Sequence, residues 1–520
     1  MALNSTKATL TSPMTSTFKS VPLWFWFFVS LCLTRLILAF ASFDYHIDGD
    51  TTVTLLMAND WDHTPAKAFF WGQQYMGTYE IWLLAKLGKL LSLSPIPLWL
   101  ATTLATLFYC AGATLVYAAL LGYDADHGRN TWAQRGRFIL AFLILGFSPP
   151  SLQKYSFGIG TGYSFLPLVS GLCIFLGFRL RQLRWWTILA AGVLLGLSIE
   201  INRLNLVPIA GLALCLALTS IKKNFRNGCV LALGMLGGAA VELTVIPLSA
   251  LSIYGGGSNF SWSRSLSNFK ATITQLGTYL GTLPYGVTET EHALWFSTGH
   301  NDSSLTLNVL SVAALIALVR FTWKPILSRR DYLPFTAICI VNLAILVFSS
   351  LSLDMYAARR YALPMTFPLA FLLIATPQFY LNRALIGLRV AALAVYLVFS
   401  LWFTTPLGHL QDSLPTFSSE HDCLVGHGGD LTAIMALNRI LPKTVDVNWR
   451  LIGNYSQNLD LHDSAAIRAA CQHIFLVDTR HIKEENFREY CPHRTLLRDV
   501  KPSGLRRYPY AVQFYVCSDQ

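Results

Sequence analysis

Long apolar stretches alternate with short polar ones along most of this chain. Runs close to the roughly 17 to 25 residues that cross a bilayer recur throughout. They lie near residues 22–43, 96–121, 137–150, 159–178, 185–200, 204–220, 229–253, 304–322, 332–353, 361–378 and 385–404. The alternation predicts an α-helical polytopic membrane protein with about eleven transmembrane helices. The first run is longer than a signal-peptide core and no small-residue cleavage site follows it, so we expect it to be retained.

Composition supports this class. Of the residues, 53% are apolar and only 13% are charged, and the mean hydropathy is +0.45, whereas soluble domains carry about 25% charged residues. The net charge of +11 does not indicate a nucleic-acid partner, because the Lys and Arg residues lie in short clusters between apolar runs. Membrane lipids are the expected surroundings.

The distribution of Lys and Arg predicts the orientation. One set of alternating polar segments holds 17 of these residues and the opposite set holds nine, although the opposite loops are longer. Positive residues collect on the cytoplasmic side. We therefore expect a multi-pass protein of the bacterial inner (plasma) membrane, with a cytoplasmic N-terminus and an extracytoplasmic C-terminal tail.

Three regions follow from these patterns: a disordered cytoplasmic tail over 1–20, a transmembrane domain over 21–404, and an extracytoplasmic domain over 405–520. The transmembrane domain includes a first outer loop, 44–93, and a second long outer loop, 254–303. In the tail, "HIFLVDT" and "YAVQFYV" are typical of strands, which predicts a small α/β domain.

The tail holds four of the ten cysteines: Cys423, Cys471, Cys491 and Cys517. An even set in an outward-facing domain predicts two disulfides. Three pairings are open, with a slight preference for Cys491 with Cys517.

The first outer loop opens with "YHIDGDTTVTLLMAND", which places Asp48 and Asp50 just beyond the first span. Carboxylates beside lipid indicate a function. However, the apolar residues after Asp50 recur at helical spacing, so Asp50 or Thr51 is also a natural N-cap. Capping and chemistry do not exclude each other.

The loop continues with "FFWGQQYMGTYE", an aromatic and amide-rich turn that contains Gln73, Gln74, Tyr75 and Glu80. The following "IWLLAKLGKLL" predicts an apolar helix with Trp82, Lys86 and Lys89 along one face. Such a helix lies flat at the membrane interface, with its Lys side chains reaching the headgroups.

Two stretches resemble a known family. "RLILAFASF", "DGDTTVTLLMA" and "FFWGQQYMGTYEIWLLAKLG" in succession, and "RRYALPMTFPLA" (359–370), resemble the protein O-mannosyltransferase and aminoarabinose-transferase group of C-type integral-membrane glycosyltransferases. The resemblance extends loosely over about 400 residues through span count and topology, and the tail carries no family motif. It implies inverting transfer of a sugar from a polyprenyl-phosphate carrier to an acceptor hydroxyl on the outer face.

By this resemblance the loop aspartate of the family falls on Asp50, with Asp48 as a less favoured register. Thr51 stands where the family usually has Glu, so no cofactor is predicted and a divalent metal is left open. One base suffices for an acceptor hydroxyl, because a lipid phosphate can leave without prior protonation. A glycosidase would normally need two carboxylates.

Arg359 and Arg360 lie at an outer membrane edge, against the positive-inside trend. A guanidinium matches the geometry of phosphate, so these residues are predicted to bind the donor phosphate. The alternative for the two arginines is anchoring to ordinary phospholipid. The alternative for Lys86 is a position at the membrane interface without substrate contact. The full set of predicted substrate-binding residues is Arg360, Arg359, Asp48, Gln73, Gln74, Tyr75, Glu80 and Lys86.

The function predicted from the sequence is therefore a hexosyl or pentosyl transferase that uses a lipid-phosphate-linked donor. The sugar and the acceptor, whether protein, lipid or glycan, are not specified by the sequence. The alternative is a transporter or lipid-linked sugar flippase, which the polar residues Glu200, Glu242 and Asn342 in or beside spans would suit. Transporters usually contain repeated halves, and no repeat is visible. A third alternative is a membrane scaffold that presents the tail.

Overall fold

The structure is a computed structural model. It describes residues 22–41, 54–55, 57–59, 61–62, 69–70, 73–77, 79–94, 96–126, 131–146, 163–218, 221–245, scattered helical positions of one to three residues between 320 and 394, and 422–426, 443–446, 473–478, 493–500 and 512–518.

Helices dominate the described part of the first half. They are α1 (Leu23–Ala41), α2 (Tyr79–Leu90), α3 (Leu98–Asp126), α4 (Thr131–Ala141), α5 (Leu166–Arg179), α6 (Trp185–Ile201), α7 (Leu206–Leu218) and α8 (Ile221–Val245). A π-helix, Phe142–Gly146, continues α4, and 3-10 helices cover Leu180–Gln182 and Arg203–Asn205. Each span predicted between 22 and 253 coincides with one of the seven helices other than α2. The α4 and α8 helices begin before the apolar runs, because their first turns are polar.

Two described helices, α1 and α3, are long and apolar enough to cross a membrane by length and composition. The exposed surface of α1 supports a position in the membrane. Trp24, Leu33 and Ile37 are exposed along it, and lipid is the environment that covers such a face. Exposed Trp residues also mark the start of α6, at Trp185 and Trp186, as in the aromatic belts of membrane proteins. These features support the predicted helical membrane bundle, and the number of spans stays a prediction.

Ring contacts define the directions of the first helices. Phe27 of α1 stacks on Tyr117 of α3 and contacts Phe138 of α4. About two turns further along α1, Arg35 contacts Tyr109 of α3 and the end of the π-helix. Later residues of α1 thus contact earlier residues of α3 and later residues of α4 and its π-helix, so α1 is antiparallel to α3 and parallel to α4. The three helices alternate in direction, as successive crossings of a membrane require.

The α6 and α8 helices approach so closely that only glycine fits at the contact. Gly192 and Gly196 of α6 face Gly234 and Gly238 of α8, and a Cβ at any of the four would overlap a backbone carbonyl of the other helix. Both helices carry the glycine pair at a four-residue spacing, and both run in the same direction. This is the small-residue packing that holds helices together in lipid, where apolar side chains gain nothing by leaving the solvent.

The first outer loop is more regular than the predicted turn. β1 (Phe69–Phe70) and β2 (Gln73–Gly77) form an antiparallel hairpin directly before α2. Residues 54–59 are helical at their described positions. The side-chain oxygen Oδ1 of Asn59 accepts a hydrogen bond from the Ile96 N–H at 2.6 Å, which fixes this helix against the segment that enters α3.

The tail contains a five-stranded sheet. Its strands are β3 (Asp422–Gly426), β4 (Lys443–Asp446), β5 (His473–Asp478), β6 (His493–Val500) and β7 (Val512–Ser518), in the order β4-β3-β5-β7-β6. The β3 strand is parallel to β4 and β5, whereas β7 is antiparallel to β5 and β6. The two strands predicted from the sequence are β5 and β7. The helices and the location of this domain stay predictions.

Cys517 is disulfide-bonded, which agrees with the bonding predicted for the tail. The strand order limits which cysteine can be the disulfide partner of Cys517. Ile474 of β5 pairs with Cys423 on one side and with Cys517 on the other, so the two cysteines are about 10 Å apart, and a disulfide joins Cα atoms within about 7 Å. Cys471 or Cys491 is therefore the expected partner.

Candidate functional site

The structure describes only some of the predicted site residues. Four of them lie outside the described residues: Asp48, Asp50, Arg359 and Arg360. Of Gln73, Gln74 and Tyr75 it describes the backbone, which forms most of β2. The side chains of Glu80 and Lys86 are described, and they have very different surroundings.

Glu80 is a buried carboxylate. It lies in the first turn of α2 with 3% of its surface exposed. Its Oε1 accepts a hydrogen bond from the hydroxyl of Ser164 at 2.9 Å, across 84 residues of sequence. Ser164 is fully buried just before α5. A buried acidic residue is rare unless it is hydrogen-bonded, and this bond ties the first outer loop to the bundle.

Lys86 lies elsewhere. It is exposed on α2 and lines an open groove of about 190 Å³ together with Lys89, Asn59 and Asp62. Asp62 and Lys89 approach to 3.8 Å, but both side chains are largely exposed, so the pair contributes little stability. The structure therefore does not bring Lys86 to Glu80, and its position fits the predicted interfacial role.

A buried cation lies within α1. Arg35 is fully buried. Its guanidinium stacks on the Tyr109 ring, 3.7 Å from the centroid, and donates a hydrogen bond to the Gly146 carbonyl at 3.3 Å. The Tyr109 hydroxyl donates to the neighbouring Leu145 carbonyl at 2.9 Å. The final carbonyls of a helix have no partner within it and carry negative partial charge, so Arg35 and Tyr109 stabilise the end of the π-helix.

Arg35 and the Glu80–Ser164 pair lie at the same level of the bundle. Phe108 of α3 packs edge-on against Phe165, the residue after Ser164. The next residue of α3, Tyr109, carries the Arg35 guanidinium. Because Arg35 precedes the end of α1 by six residues, this level is about 9 Å from that end. In the predicted orientation it belongs to the outer half of the membrane.

The turn between α6 and α7 adds more buried polar groups. Glu200, Asn202 and Asn205 are buried there, and the 3-10 helix at Arg203–Asn205 packs against α5. The turn therefore lies beside α5, the helix that Ser164 directly precedes. We refer to these residues together as the polar layer: Arg35, Glu80, Ser164, Glu200, Asn202 and Asn205.

The β1–β2 hairpin also contacts α6. The β2 strand, which carries Gln73, Gln74 and Tyr75, contacts α6. The first outer loop thus meets the bundle through Glu80 and through β2. Among the described side chains, no three His, Cys, Asp or Glu residues are close enough to hold a metal ion.

Five members of the layer are not among the predicted site residues: Arg35, Ser164, Glu200, Asn202 and Asn205. Arg35 is a lone charge in an apolar span, which is a visible signal of function. Asn205 lies in a turn whose polarity is evident in "LSIEINRLNLVP". Ser164 had no signal in the sequence, because its importance depends on a partner far along the chain.

No protein-family model matches this chain, and no curated protein matches it. Two crystal structures of ArnT from Cupriavidus metallidurans are similar to it. The structure bound to undecaprenyl phosphate aligns with a TM-score of 0.45 and 12% identity over 94% of this chain and 98% of the ArnT chain. The apo structure aligns with a TM-score of 0.46 and 11% identity over 95% and 97%. The likeness agrees with the resemblance that the sequence indicates.

Proposed function

We propose that this protein transfers a sugar from a polyprenyl-phosphate carrier to an acceptor hydroxyl, with inversion, at the outer face of the membrane. The observation that carries the proposal is the buried Glu80 carboxylate, bound to Ser164 within the polar layer. Glu80 belongs to the same outer loop as Asp50. That loop therefore brings a carboxylate into the bundle at a level that a membrane-borne donor can reach.

The chemistry needs one base. The acceptor oxygen attacks the anomeric carbon as the bond from that carbon to the phosphate oxygen breaks, and the hydroxyl proton passes to Asp50. The lipid phosphate leaves as an anion that needs no proton. A single displacement inverts the anomeric centre. In this scheme Glu80 accepts hydrogen bonds from substrate hydroxyls, and Gln73, Gln74 and Tyr75 of β2 line the same site.

The leaving phosphate requires a cation, and Arg360 with Arg359 is assigned to it. A guanidinium can bind two phosphate oxygens at once. The ligand of the ArnT structure, undecaprenyl phosphate, is a lipid phosphate, and we propose a ligand of this class here. The donor enters from the membrane and the acceptor from the outer side.

The test is Asp50→Asn in purified protein, supplied with polyprenyl-phosphate donors that carry radiolabelled hexose or pentose and with a panel of acceptors. Asn keeps the size of Asp and caps a helix about as well. Loss of a general base should lower transfer about 10² fold or more while donor binding persists. Asp48→Asn is the matched control and should have a much smaller effect.

Two outcomes would contradict the assignment. Normal transfer by Asp50→Asn together with an inactive Asp48→Asn would move the base by two residues. Normal transfer by both variants would exclude this loop as the source of the base.

Arg360→Ala should weaken binding of polyprenyl phosphate, and Arg360→Lys should restore it only in part. The reason is that a Lys ammonium supplies the charge but not the two parallel hydrogen bonds of a guanidinium. Titration of the detergent-solubilised variants with the lipid phosphate measures this. Unchanged affinity in the Ala variant would reduce Arg360 to an anchor for bulk lipid.

One observation favours a transporter as a second candidate. Arg35 is a buried charge beside a π-helix, and transporters bind their substrates at interrupted helices within the membrane. The two functions separate in detergent, where no second compartment exists. A transferase still forms the glycosylated acceptor in micelles, whereas a transporter forms none.

A further inference from the structure

We propose that the turn between α6 and α7 is a subsite for the transferred sugar, with Glu200 and Asn205 as its hydrogen-bond acceptors. The inference rests on the proposed function and adds a location for the sugar. It assigns to this turn a substrate contact that is separate from both the base and the phosphate-binding arginines.

The first observation is an unsatisfied acceptor. The Asn205 side-chain N–H donates to the Ser198 carbonyl at 2.7 Å, and this bond determines which end of the amide is the oxygen. Asn205 is fully buried, yet its Oδ1 has no hydrogen-bond donor within the described part of the chain. Buried acceptors are nearly always paired in native proteins. A donor from outside the described residues is therefore expected.

The turn itself is well ordered by its own hydrogen bonds. The side-chain oxygen Oδ1 of Asn202 accepts a hydrogen bond from the Leu204 backbone N–H at 2.9 Å. The backbone carbonyl of Asn202 accepts a second one from the Asn205 backbone N–H, also at 2.9 Å. The Ser198 hydroxyl is bound within α6, at the Leu195 carbonyl. The unpaired oxygen therefore belongs to a constrained turn, and constraint is what a binding group requires.

The second observation is a carboxylate at the edge of the same turn. Glu200 lies in the last turn of α6 with 8% of its surface exposed, whereas Asn205 is fully buried. Glu200 therefore has the more accessible of the two acceptors. Contact between β2 and α6 brings the amide residues Gln73 and Gln74 to the same helix.

The chemistry of these groups selects the ligand. Carboxylate and amide oxygens accept hydrogen bonds, so they match the adjacent hydroxyls of a sugar and repel the oxygens of a phosphate. This end of the polar layer therefore suits the sugar, and the carrier phosphate requires the cationic side. Membrane-buried acidic residues that are retained at such cost usually line a substrate path.

The experiment compares two ligands on each variant in detergent: polyprenyl phosphate alone, and polyprenyl phosphate that carries a hexose or a pentose. Glu200→Gln and Asn205→Ala should bind the sugar-bearing lipids about tenfold or more weakly, as expected for loss of a hydrogen bond to a charged or enclosed group. Their affinity for the bare lipid phosphate should not change. Thr114→Val is the matched control, because its buried hydroxyl bonds only to its own helix at the Cys110 carbonyl.

Each result decides a different point. If Glu200→Gln binds both ligands as the parent does, the subsite is wrong while the proposed function stands. If both affinities fall together, the turn supports the fold and contacts no sugar, which also overturns the subsite. If the parent itself does not distinguish sugar-bearing from bare lipid phosphate, the proposed function fails and the subsite with it. Glu200→Gln keeps the test valid where Asn205→Ala does not fold.

Discussion

Two neighbouring stretches of α6 are buried in opposite ways. Around Gly192 and Gly196 the helix has no side chains at its contact, and its backbone lies directly against α8. One turn later, Glu200 begins a stretch in which carboxylate and amide groups are enclosed by the bundle. The two stretches follow each other along the chain at the end of α6, and both are buried.

The difference separates stability from function. Close backbone contact gains dispersion energy and weak Cα–H hydrogen bonds without placing a polar group in lipid. Buried carboxylates destabilise the bundle instead, because each must be desolvated and then compensated by hydrogen bonds. The glycine contact therefore explains how the bundle holds together. The polar layer requires another reason to exist, and the proposed substrate binding would supply one.

The largest expected effect is at the glycine contact. Gly196→Leu should give no folded protein, because its side chain would overlap the carbonyl oxygen of Met235 in α8, and two packed helix backbones cannot both yield. Size-exclusion chromatography and thermal unfolding in detergent measure the outcome. Gly237→Leu is the matched control on α8, since a Cβ there has no neighbour within 4 Å. A monodisperse Gly196→Leu protein with the parent melting temperature would show that the contact is not essential.

An intermediate effect is expected at Glu80, on activity and not on folding. Gln has nearly the same volume and keeps an oxygen that can accept the Ser164 hydrogen bond, so Glu80→Gln should melt close to the parent. Removing the charge should lower transfer by about 10 to 100 fold, the range for a hydrogen bond to an ionised group. Initial rates with saturating donor measure it. Parent-like transfer would leave Glu80 with a packing role only.

The comparison also shows what a sequence can predict here. The seven helices that overlap predicted spans, and the polar turn after α6, follow from hydropathy, because lipid requires long apolar helices and tolerates polarity at their ends. The exposed face of α2, with Trp82 and Lys86, follows from helical periodicity. Strands β5 and β7 follow from their β-branched and aromatic content.

The remaining features depend on contacts between distant residues. The glycines at 192, 196, 234 and 238 form a repeated small-residue spacing in the sequence, but the spacing does not tell which two helices meet. Arg35 is visible as a lone charge, whereas its stacking on Tyr109 and its bond to the π-helix are not. The hairpin before α2 was expected only as a turn, because a two-residue strand has no periodicity to detect.

The candidate site also contains residues that the sequence predicts and residues that depend on distant contacts. Glu80 was predicted from the loop that contains it, and the structure places it in a buried hydrogen bond. Ser164 was not predicted, since a serine in "GTGYSF" resembles any other turn residue. Asp48, Asp50, Arg359 and Arg360 lie outside the described residues, so their roles rest on sequence position and charge and stay predictions.

The smallest effect separates a positioning residue from a packing one. Ser164→Ala removes the hydroxyl that donates to Glu80 at 2.9 Å and should lower transfer by about tenfold or less, the equivalent of one ordinary hydrogen bond. Ser164→Thr keeps the hydroxyl and should restore most of the rate. Combining Ser164→Ala with Glu80→Gln provides the sharper measurement, because residues in contact are not additive. If Ser164 acts through the carboxylate, the double variant should transfer sugar at nearly the rate of Glu80→Gln alone. Full additivity of the two losses, with no recovery by Thr, would mean that Ser164 contributes only to packing beside α5.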